Sequence, residues 1–514
     1  MRYKKTFLAI GLALLIIFIL SIGLNSWINY RLPAIINEKN DSSYLITYKN
    51  LKVSLLNRSI YADNIAVVPK ASLKDTIAKK GIYAKIKSIE IQQLNVWSLL
   101  FSNKIKANTI AIKTPEIIIY DKENKHSVRN AVVAPFEKII KVSNVVLTHG
   151  DLKLLSKEQA VPVLSVQNIN FNIEGIVITD AILKKKIPLE YEDYSLSCDS
   201  LFYHPTAFYN LKTHAIKLSK KEMLINDFKM LPTFSRKKFV SKLSKEEDIF
   251  TLLCKSIKIQ NGDWGFKQDD FFFHANTILL NQLNANIYRS KEPADDLTKK
   301  HLYNKLLRDL KFDLQIDTLQ IKDSKLVYEE QKTPDVGAGI LQFNDFNVNA
   351  TNISSGFNKD KLPDVNIAIH CKFMNNAPFM VNWNFNVLDK NDGFNIQGKL
   401  THFEANQMDA FTKPYINVTT KGVLDEIRFN FTGNDVKSTG KLELKYDNLE
   451  VSVYQKDARQ KKNKFLSFFT NLFVKKDSDE KVKEVTVEVE RKQEKSFYNF
   501  LWMNVAEGLK KVLI

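Results

Sequence analysis

The residue types that carry most enzyme chemistry are thinly spread in this chain. Eight histidines, His126, His149, His204, His214, His274, His301, His370 and His402, are scattered, and none stands in a His-Glu-x-x-His stretch or beside a tight carboxylate cluster. No Gly-x-Ser-x-Gly turn is present, so no nucleophile with its base is legible. Cys198, Cys254 and Cys371 lie far apart without metal-spaced histidines, which leaves no disulfide framework or zinc site. A lone cysteine in an apolar strand serves as a small core residue. Asp389-Lys390-Asn391-Asp392-Gly393 has the look of a calcium loop, but the glycine comes one position early and no glutamate closes it. A hairpin turn with Asp392-Gly393 at its tip is the expectation. With only 16 glycines in 514 residues, phosphate-cradling loops also lack raw material. The expectation is a protein that is not an enzyme, with no cofactor and no metal.

What remains is the chemistry of apolar surface, and the sequence places it in two settings. Residues 7–24 (FLAIGLALLIIFILSIGL) are almost wholly apolar, and Thr6–Ser26 as a helix at 1.5 Å per residue would span about 31 Å, close to the ~30 Å hydrocarbon layer. Arg2, Lys4 and Lys5 precede it and Trp27 and Tyr30 follow, so the positive-inside bias puts the N-terminus in the cytoplasm and the bulk across the membrane. Residues 1–30 are therefore read as a signal-anchor; a cleaved signal peptide is the alternative. The rest, 44% hydrophobic over the whole chain, shows strand alternation at Ile110/Ile112, Phe312/Leu314/Ile316, Val381/Trp383/Phe385/Val387, Ile427/Phe429/Phe431 and Leu442/Leu444/Tyr446.

A short unit recurs along this body: an apolar residue, two polar or small ones, an apolar residue, any residue, then another apolar one. Copies include Tyr48-x-x-Leu51-x-Val53, Ile86-x-x-Ile89-x-Ile91, Val142-x-x-Val145-x-Leu147, Val166-x-x-Ile169-x-Phe171 and Cys198-x-x-Leu201-x-Tyr203. Further along stand Ile225-x-x-Phe228-x-Met230, Ile316-x-x-Leu319-x-Ile321, Phe343-x-x-Phe346-x-Val348 and Tyr446-x-x-Leu449-x-Val451. Apolar residues at i and i+3 fall on opposite faces of a straight strand, so a bulge is needed to return both to one side. The Asn, Asp and Ser between them suit that irregular backbone. Repeated bulges predict a strongly twisted, curved sheet.

Helices are few. Residues 295–310 place Leu302, Leu306 and Leu310 on one stripe, and 134–141 reads as a second short helix. Residues 456–495 begin with a basic stretch and an apolar run too short to span a membrane, and end in one strand marked by Val482, Val485, Val487 and Val489. Residues 496–514 form an amphipathic helix whose apolar stripe holds Phe497, Tyr498, Leu501, Trp502, Val505, Leu509, Val512 and Leu513, with Phe500 and Met503 off it. A membrane-facing role for Phe497, Leu501, Trp502, Val505, Leu509 and Val512 is the expectation, against the alternative of a helix packed on its own sheet. The net charge of +18 suits anionic head groups, and nucleic acid is not expected because the bulk lies outside the cytoplasm.

The anchor, followed by Tyr48-Lys49-Asn50-Leu51-Lys52-Val53-Ser54-Leu55 and then Ile60, Ile65 and Val67, resembles the start of AsmA-like proteins of Gram-negative envelopes. Ile110-Ala111-Ile112 with Pro115 and Ile117, Ile316-x-x-Leu319-x-Ile321 leading to Leu326-Val327-Tyr328-Glu329, and the stretch from Gly433 to Gly440 and Leu442 carry the same likeness, and the tail resembles a Bacteroidota-type variant. The resemblance implies an elongated, curved antiparallel sheet forming a U-shaped groove over residues 31–455, similar to chorein-related bridge proteins, and it supplies no catalytic residues. Acyl chains would fill the groove, at about 0.8 kcal/mol per buried methylene. Groove candidates are Ile89, Ile91, Ile110, Ile112, Ile169 and Phe171, and then Ile316, Leu319, Ile321, Phe343, Phe346 and Val348. The expected partners are phospholipids, the inner membrane and an outer-membrane or periplasmic protein at the far end; the expected role is lipid conduction in outer-membrane biogenesis. A closed scaffold that assists outer-membrane protein assembly is the alternative.

Overall fold

The computed structural model describes residues 44–54, 57–70, 81–95, 98, 105–120, 140–156, 162–183, 185–187, 189–453, 478 and 481–513. The proposed anchor at 1–30, the basic stretch and apolar run at 456–474, and most of the helix expected at 134–141 lie outside these residues. Among the described residues no helix is long and apolar enough to cross a membrane. The chain is mainly β and divides into two compact units, one from residues up to 227 with 265–270, the other from 228–264 with 271 onward.

The first unit carries β1 (Tyr44–Thr47), β2 (Asn50–Ser54), β3 (Ser59–Pro69), β4 (Gly81–Gln92), β5 (Ile105–Tyr120), β6 (Ile140–Leu155), β7 (Leu164–Ile178), β8 (Asp193–Thr206) and β9 (Tyr209–Ser219). It also holds the one-turn helix α1 (Asp180–Leu183). From β3 to β9 each strand pairs with the next, antiparallel throughout except for β5 with β6, which run parallel. β10 (Glu222–Pro232) and β12 (Asp263–Lys267) contribute residues to both units.

In the second unit β11 (Asp248–Gln260) pairs with β13 (Asp270–Ser290), and β13 lies parallel to β14 (Asp313–Gln331). An antiparallel succession follows: β15 (Gly339–Ser354), β16 (Val365–Phe373), β17 (Ala377–Phe385), β18 (Phe394–Glu404), β19 (Val418–Gly433), β20 (Lys437–Val453) and β21 (Lys483–Glu490). Its helices are α2 (Arg236–Val240), α3 (Tyr303–Arg308), α4 (Asp409–Ile416) and α5 (Phe497–Leu513).

The pairing is antiparallel as expected, apart from the two parallel pairs. Parallel neighbours need a crossover of a dozen or more residues, and the chain supplies one before each: 121–139 and 291–312. The helix expected over 295–310 shrinks for the same reason, because most of that stretch is extended crossover. Only α3 is helical, with Leu302 buried at its start and Leu306 50% exposed. Polar anchors seat it instead. Asn304 Nδ2 donates to the Asn386 and Gly393 carbonyls, each at 2.9 Å, and Arg308 binds Asp392 at 2.7 Å. Ile140 and Lys141, expected to end a helix, open β6.

The parity flips inferred from the recurring unit are present. In β4 the buried positions run Ile82, Ala84, Ile86 and Ser88, then Ile89 and Ile91; in β7 they run Leu164, Val166, then Ile169. The residue that absorbs the shift in β7 is Asn168, with φ 50°, a left-handed conformation that Asn and Asp tolerate best after glycine. Asp227, Asp345 and Asn448 occupy the same place in their copies, with φ between 47° and 49°. The copies that begin at Tyr48, Ile86, Val142, Cys198 and Ile316 have no left-handed residue of their own at that place. In the Ile316 copy the ladder skips Asp317, and Asn352 of β15, between the paired Ile353 and Thr351, is left-handed at φ 61°, so the irregularity is carried by the neighbouring strand. In β14 itself a left-handed residue comes later, at Asp323, beside left-handed Gln282 of β13. Neighbouring bulges of this kind crease a sheet.

The core of the first unit gathers apolar residues of β1 and β3 to β8, including Ile91, Ile110, Ile112, Val145 and Ile178. That of the second lies over β16–β21 under α5. Cys198, Cys254 and Cys371 are buried, and burial pushes the Cys371 thiol up to about 12.

Candidate apolar binding face

Residues directly opposite each other across paired strands share a face, so the register can be followed from strand to strand. In the second unit one row starts at Ile257 of β11 and passes through Leu280, Ile321, Val348 and Ile369 to Val381 of β17. It continues through Gly398, Phe429 and Leu442 to Val485 of β21. A second row runs Ile259, Ile278, Leu319, Ala350, Ile367, Trp383, and then Ile396, Phe431, Gly440 and Val487. Ten strands thus present one apolar face.

Only part of that face is covered. Over β17–β21 the rows are almost wholly buried: Val381, Trp383, Ile396, Phe429, Phe431, Leu442 and Val487 are all at or below 8% exposure. The cover is α5, with help from α3. Phe497 stacks on Trp383 at 4.7 Å and 11° and meets Phe394 edge-on at 5.2 Å, and Tyr303 closes on Trp383 at 5.1 Å. At Gly508 the helix approaches so closely that a side-chain carbon would sit 2.7 Å from Leu442 Cδ1. Asn504, buried in this contact, accepts a hydrogen bond from Ser438 Oγ at 2.8 Å and donates to the Phe500 carbonyl at 2.9 Å, which offsets its desolvation.

Over β11–β15 the same rows lose their cover. Ile257, Leu280, Ile321, Val348, Ile259, Ile278 and Leu319 are all half-buried and outside the packed core, and of the row members on these strands the small Ala350 alone is buried. Phe343 and Phe346, brought to one side by the Asp345 bulge, stand 6.5 Å apart edge-on, and Phe343 leads on to Phe373 at 5.3 Å. The opposite face of these strands is polar, with Thr318, Gln320 and Lys322 on β14 and Asn347, Asn349 and Thr351 on β15.

Toward one end of its strands the uncovered face closes in paired charges. Beyond Leu326 the hydroxyls of Tyr328 and of Tyr415, carried by α4, both donate to Glu330. Arg289 binds Asp248 and Lys291 binds Glu246, each at 2.7 Å. Burial, seconded by the negative charge of Glu330, pushes the Tyr328 phenol well above the usual tyrosine range. Glu246 is likewise raised, chiefly by burial.

The expected groove residues divide between the units. Leu319, Ile321, Phe343, Phe346 and Val348 share the uncovered face, and Ile316, also half-buried, pairs with Ile353 just beyond the left-handed Asn352. Ile89, Ile91, Ile110, Ile112 and Ile169 are instead buried at or below 8% in the filled core of the first unit, because its creased strands bring their apolar sides together. Phe171 stays half-buried, in a row that runs Ala62, Ile89, Ile112, Leu147, Phe171, Leu196, Leu218 and opens progressively toward β9. A cleft of about 440 Å³ lies there, lined by Phe171, Leu196, Leu218, Asn172 and Lys217 among others.

The C-terminal helix is present, but its faces are turned from the expected ones. Phe497, Phe500, Asn504 and Gly508 make the buried line, and Leu501, Val505, Leu509 and Val512 pack beside it on the sheet. Of the residues expected to face a membrane, Trp502 alone is exposed, together with Tyr498 and Met503. Sequence reasoning missed Ile257, Ile259, Ile278 and Leu280, although Ile257 with Ile259 and Ile278 with Leu280 carry the same alternation as the strands that were recognised. The 389–393 segment does lie in the turn between β17 and β18, with Asp389 accepting from the Asn391 and Gly393 amides, but Asp392-Gly393 leads directly into β18 and is not the tip. Among the described residues no group of three His, Cys, Asp or Glu side chains is arranged to hold a metal ion. No protein-family model matches the chain, and no curated protein matches its sequence.

Proposed function

We propose that the uncovered apolar face of β11–β15 binds the acyl chains of lipids, and that the protein is a membrane-anchored envelope carrier that holds lipid along this face. The observation that carries the reading is the change in cover along a single pair of rows. The same register is buried under α5 at one end and left half-open at the other, with apolar side chains at both. A protein that needed only to fold would gain by covering both; each fully buried Ile or Phe contributes about 1.5–3 kcal/mol. The face offers contact without directional polar partners, which suits methylene chains and gives little selectivity among them. A U-shaped trough is the form this reading assigns to the face, with head groups at its polar margins. The likeness of the motifs to AsmA-like proteins agrees with it, as does a hydrophobic N-terminal run suited to an inner-membrane anchor, with the bulk of the chain in the periplasm.

Native mass spectrometry of detergent-purified full-length protein, with chromatography of the extracted lipid, tests the reading. Bound phospholipid or fatty acid, lost on introducing a charge at Ile321, supports it. Protein free of lipid after isolation from membranes, with an unchanged mass when phospholipid is added back, removes it and leaves the scaffold role.

A further inference from the structure

We infer that residues 233–245, which join β10 to β11, form a docking surface for an anionic lipid bilayer. Residues 228–245 contain six basic side chains, Lys229, Arg236, Lys237, Lys238, Lys242 and Lys245, and no acidic one. Two of the six are used internally. Arg236 grips Glu329 through both terminal nitrogens and reaches Asn286 at 3.1 Å, and Lys245 binds Asp296 at 3.1 Å. Lys237, Lys238 and Lys242 are exposed and have no carboxylate within ion-pair distance among the described residues. Lys238 and Lys242 converge on one aromatic ring, their ammonium groups 5.2 and 5.0 Å from the centroid of Phe234. Concentrated cations grouped around a half-buried aromatic side chain match the head-group layer of a membrane, where charge and ring are both accommodated.

The segment is held where such a surface would serve the open face. Arg236 pins it to β13 and β14, the two strands at the centre of the uncovered rows, toward the strand ends where the face gives way to charged and phenolic side chains. Phe239 and Val240 of α2 are buried, which fixes the loop and leaves its lysines outward. A bilayer docked here meets the end of the apolar face, so the inference rests on the lipid-binding reading for its purpose, though not for its geometry.

The test uses full-length protein in phosphatidylcholine proteoliposomes and measures capture of dye-labelled vesicles, either pure phosphatidylcholine or mixed with phosphatidylglycerol. The triple variant K237E/K238E/K242E is compared with K106E/K141E/K153E, an equal charge change on exposed lysines of the first unit. At about 1 kcal/mol per lysine near an anionic surface, the first variant should capture anionic vesicles about a hundredfold less well, while the second keeps capture and neutral vesicles are ignored by all. Equal loss in both variants, or none in either, overturns the inference. So does a loss confined to binding of a duplex RNA probe, which would make the patch a nucleic-acid surface. Lipid extracted from the same preparations separates the two readings: patch-dependent capture by a lipid-free protein sinks the carrier and keeps the docking surface, and lipid-loaded protein with patch-independent capture does the reverse.

Discussion

Val348 and Phe431 lie on the two adjacent rows of one apolar face, and exchanging them for unsuited residues should have opposite consequences. Val348 is half-buried with no helix above it, so Val348→Asp forfeits about half of a valine's burial, about 1 kcal/mol of stability. A bound acyl chain crossing Val348 and Ile321 would lose contact for about three methylenes, or about 2.4 kcal/mol, which weakens lipid binding about fiftyfold. Phe431 is fully buried beneath the C-terminal helix, and Phe431→Ala should cost about 3–5 kcal/mol of stability while leaving the open rows intact. The assay pairs thermal unfolding with lipid per protein by mass spectrometry. The reasoning fails if Val348→Asp destabilises as strongly as Phe431→Ala, because the face would then be filled by protein. It fails equally if Val348→Asp unfolds normally and still carries a full complement of lipid.

Further outcomes follow from the cover, the creases and the loop anchor. Asn504→Ala strands the buried Ser438 hydroxyl and should cost about 1–3 kcal/mol in denaturant unfolding, with the Ser438→Ala double variant recovering part of that loss. Asp345→Val puts a β-branched residue at φ 47° and should destabilise by about 1–2 kcal/mol, whereas Asp345→Gly should not; circular dichroism melts compare them. The Arg236 guanidinium holds the Glu329 carboxyl below the usual glutamate range. The folded form is therefore favoured above that range, and the contribution fades as pH falls through it toward the depressed value. Hydrogen exchange in 233–245 should rise as the solution is acidified through that window, and Glu329→Gln should flatten the response.

Strand content was legible because alternation survives in the sequence whatever covers the strands, and the turn at 389–393 was legible from its Asp and Gly. The bulges were legible at Asn168, Asp227, Asp345 and Asn448, where short polar residues tolerate left-handed backbone. At Ile316–Leu319 the left-handed residue stands on the neighbouring strand, at Asn352, where the sequence of β14 itself does not show it. Parallel pairing left no mark on β5, β6, β13 or β14, because direction is decided by the crossovers and not by the strands. The C-terminal helix was evident from its period, but not the side it buries. Asn504 and Gly508 look out of place on an apolar stripe until Ser438 and Leu442 are seen opposite them. For the same reason Ile321 and Phe431 read alike in sequence; what separates them is a helix that follows the last strand and reaches only one end of the face.

What touches the apolar rows of β13–β15 decides between bound lipid and cover by the protein itself. A photoreactive amino acid placed singly at Ile321, Val348, Trp383 and Phe431, with irradiation in native membranes and mass spectrometry of the adducts, reads this directly. Lipid adducts at Ile321 and Val348 with none at Trp383 and Phe431 are the predicted result. Adducts to the protein's own chain at all four positions, with lipid at none, would contradict it.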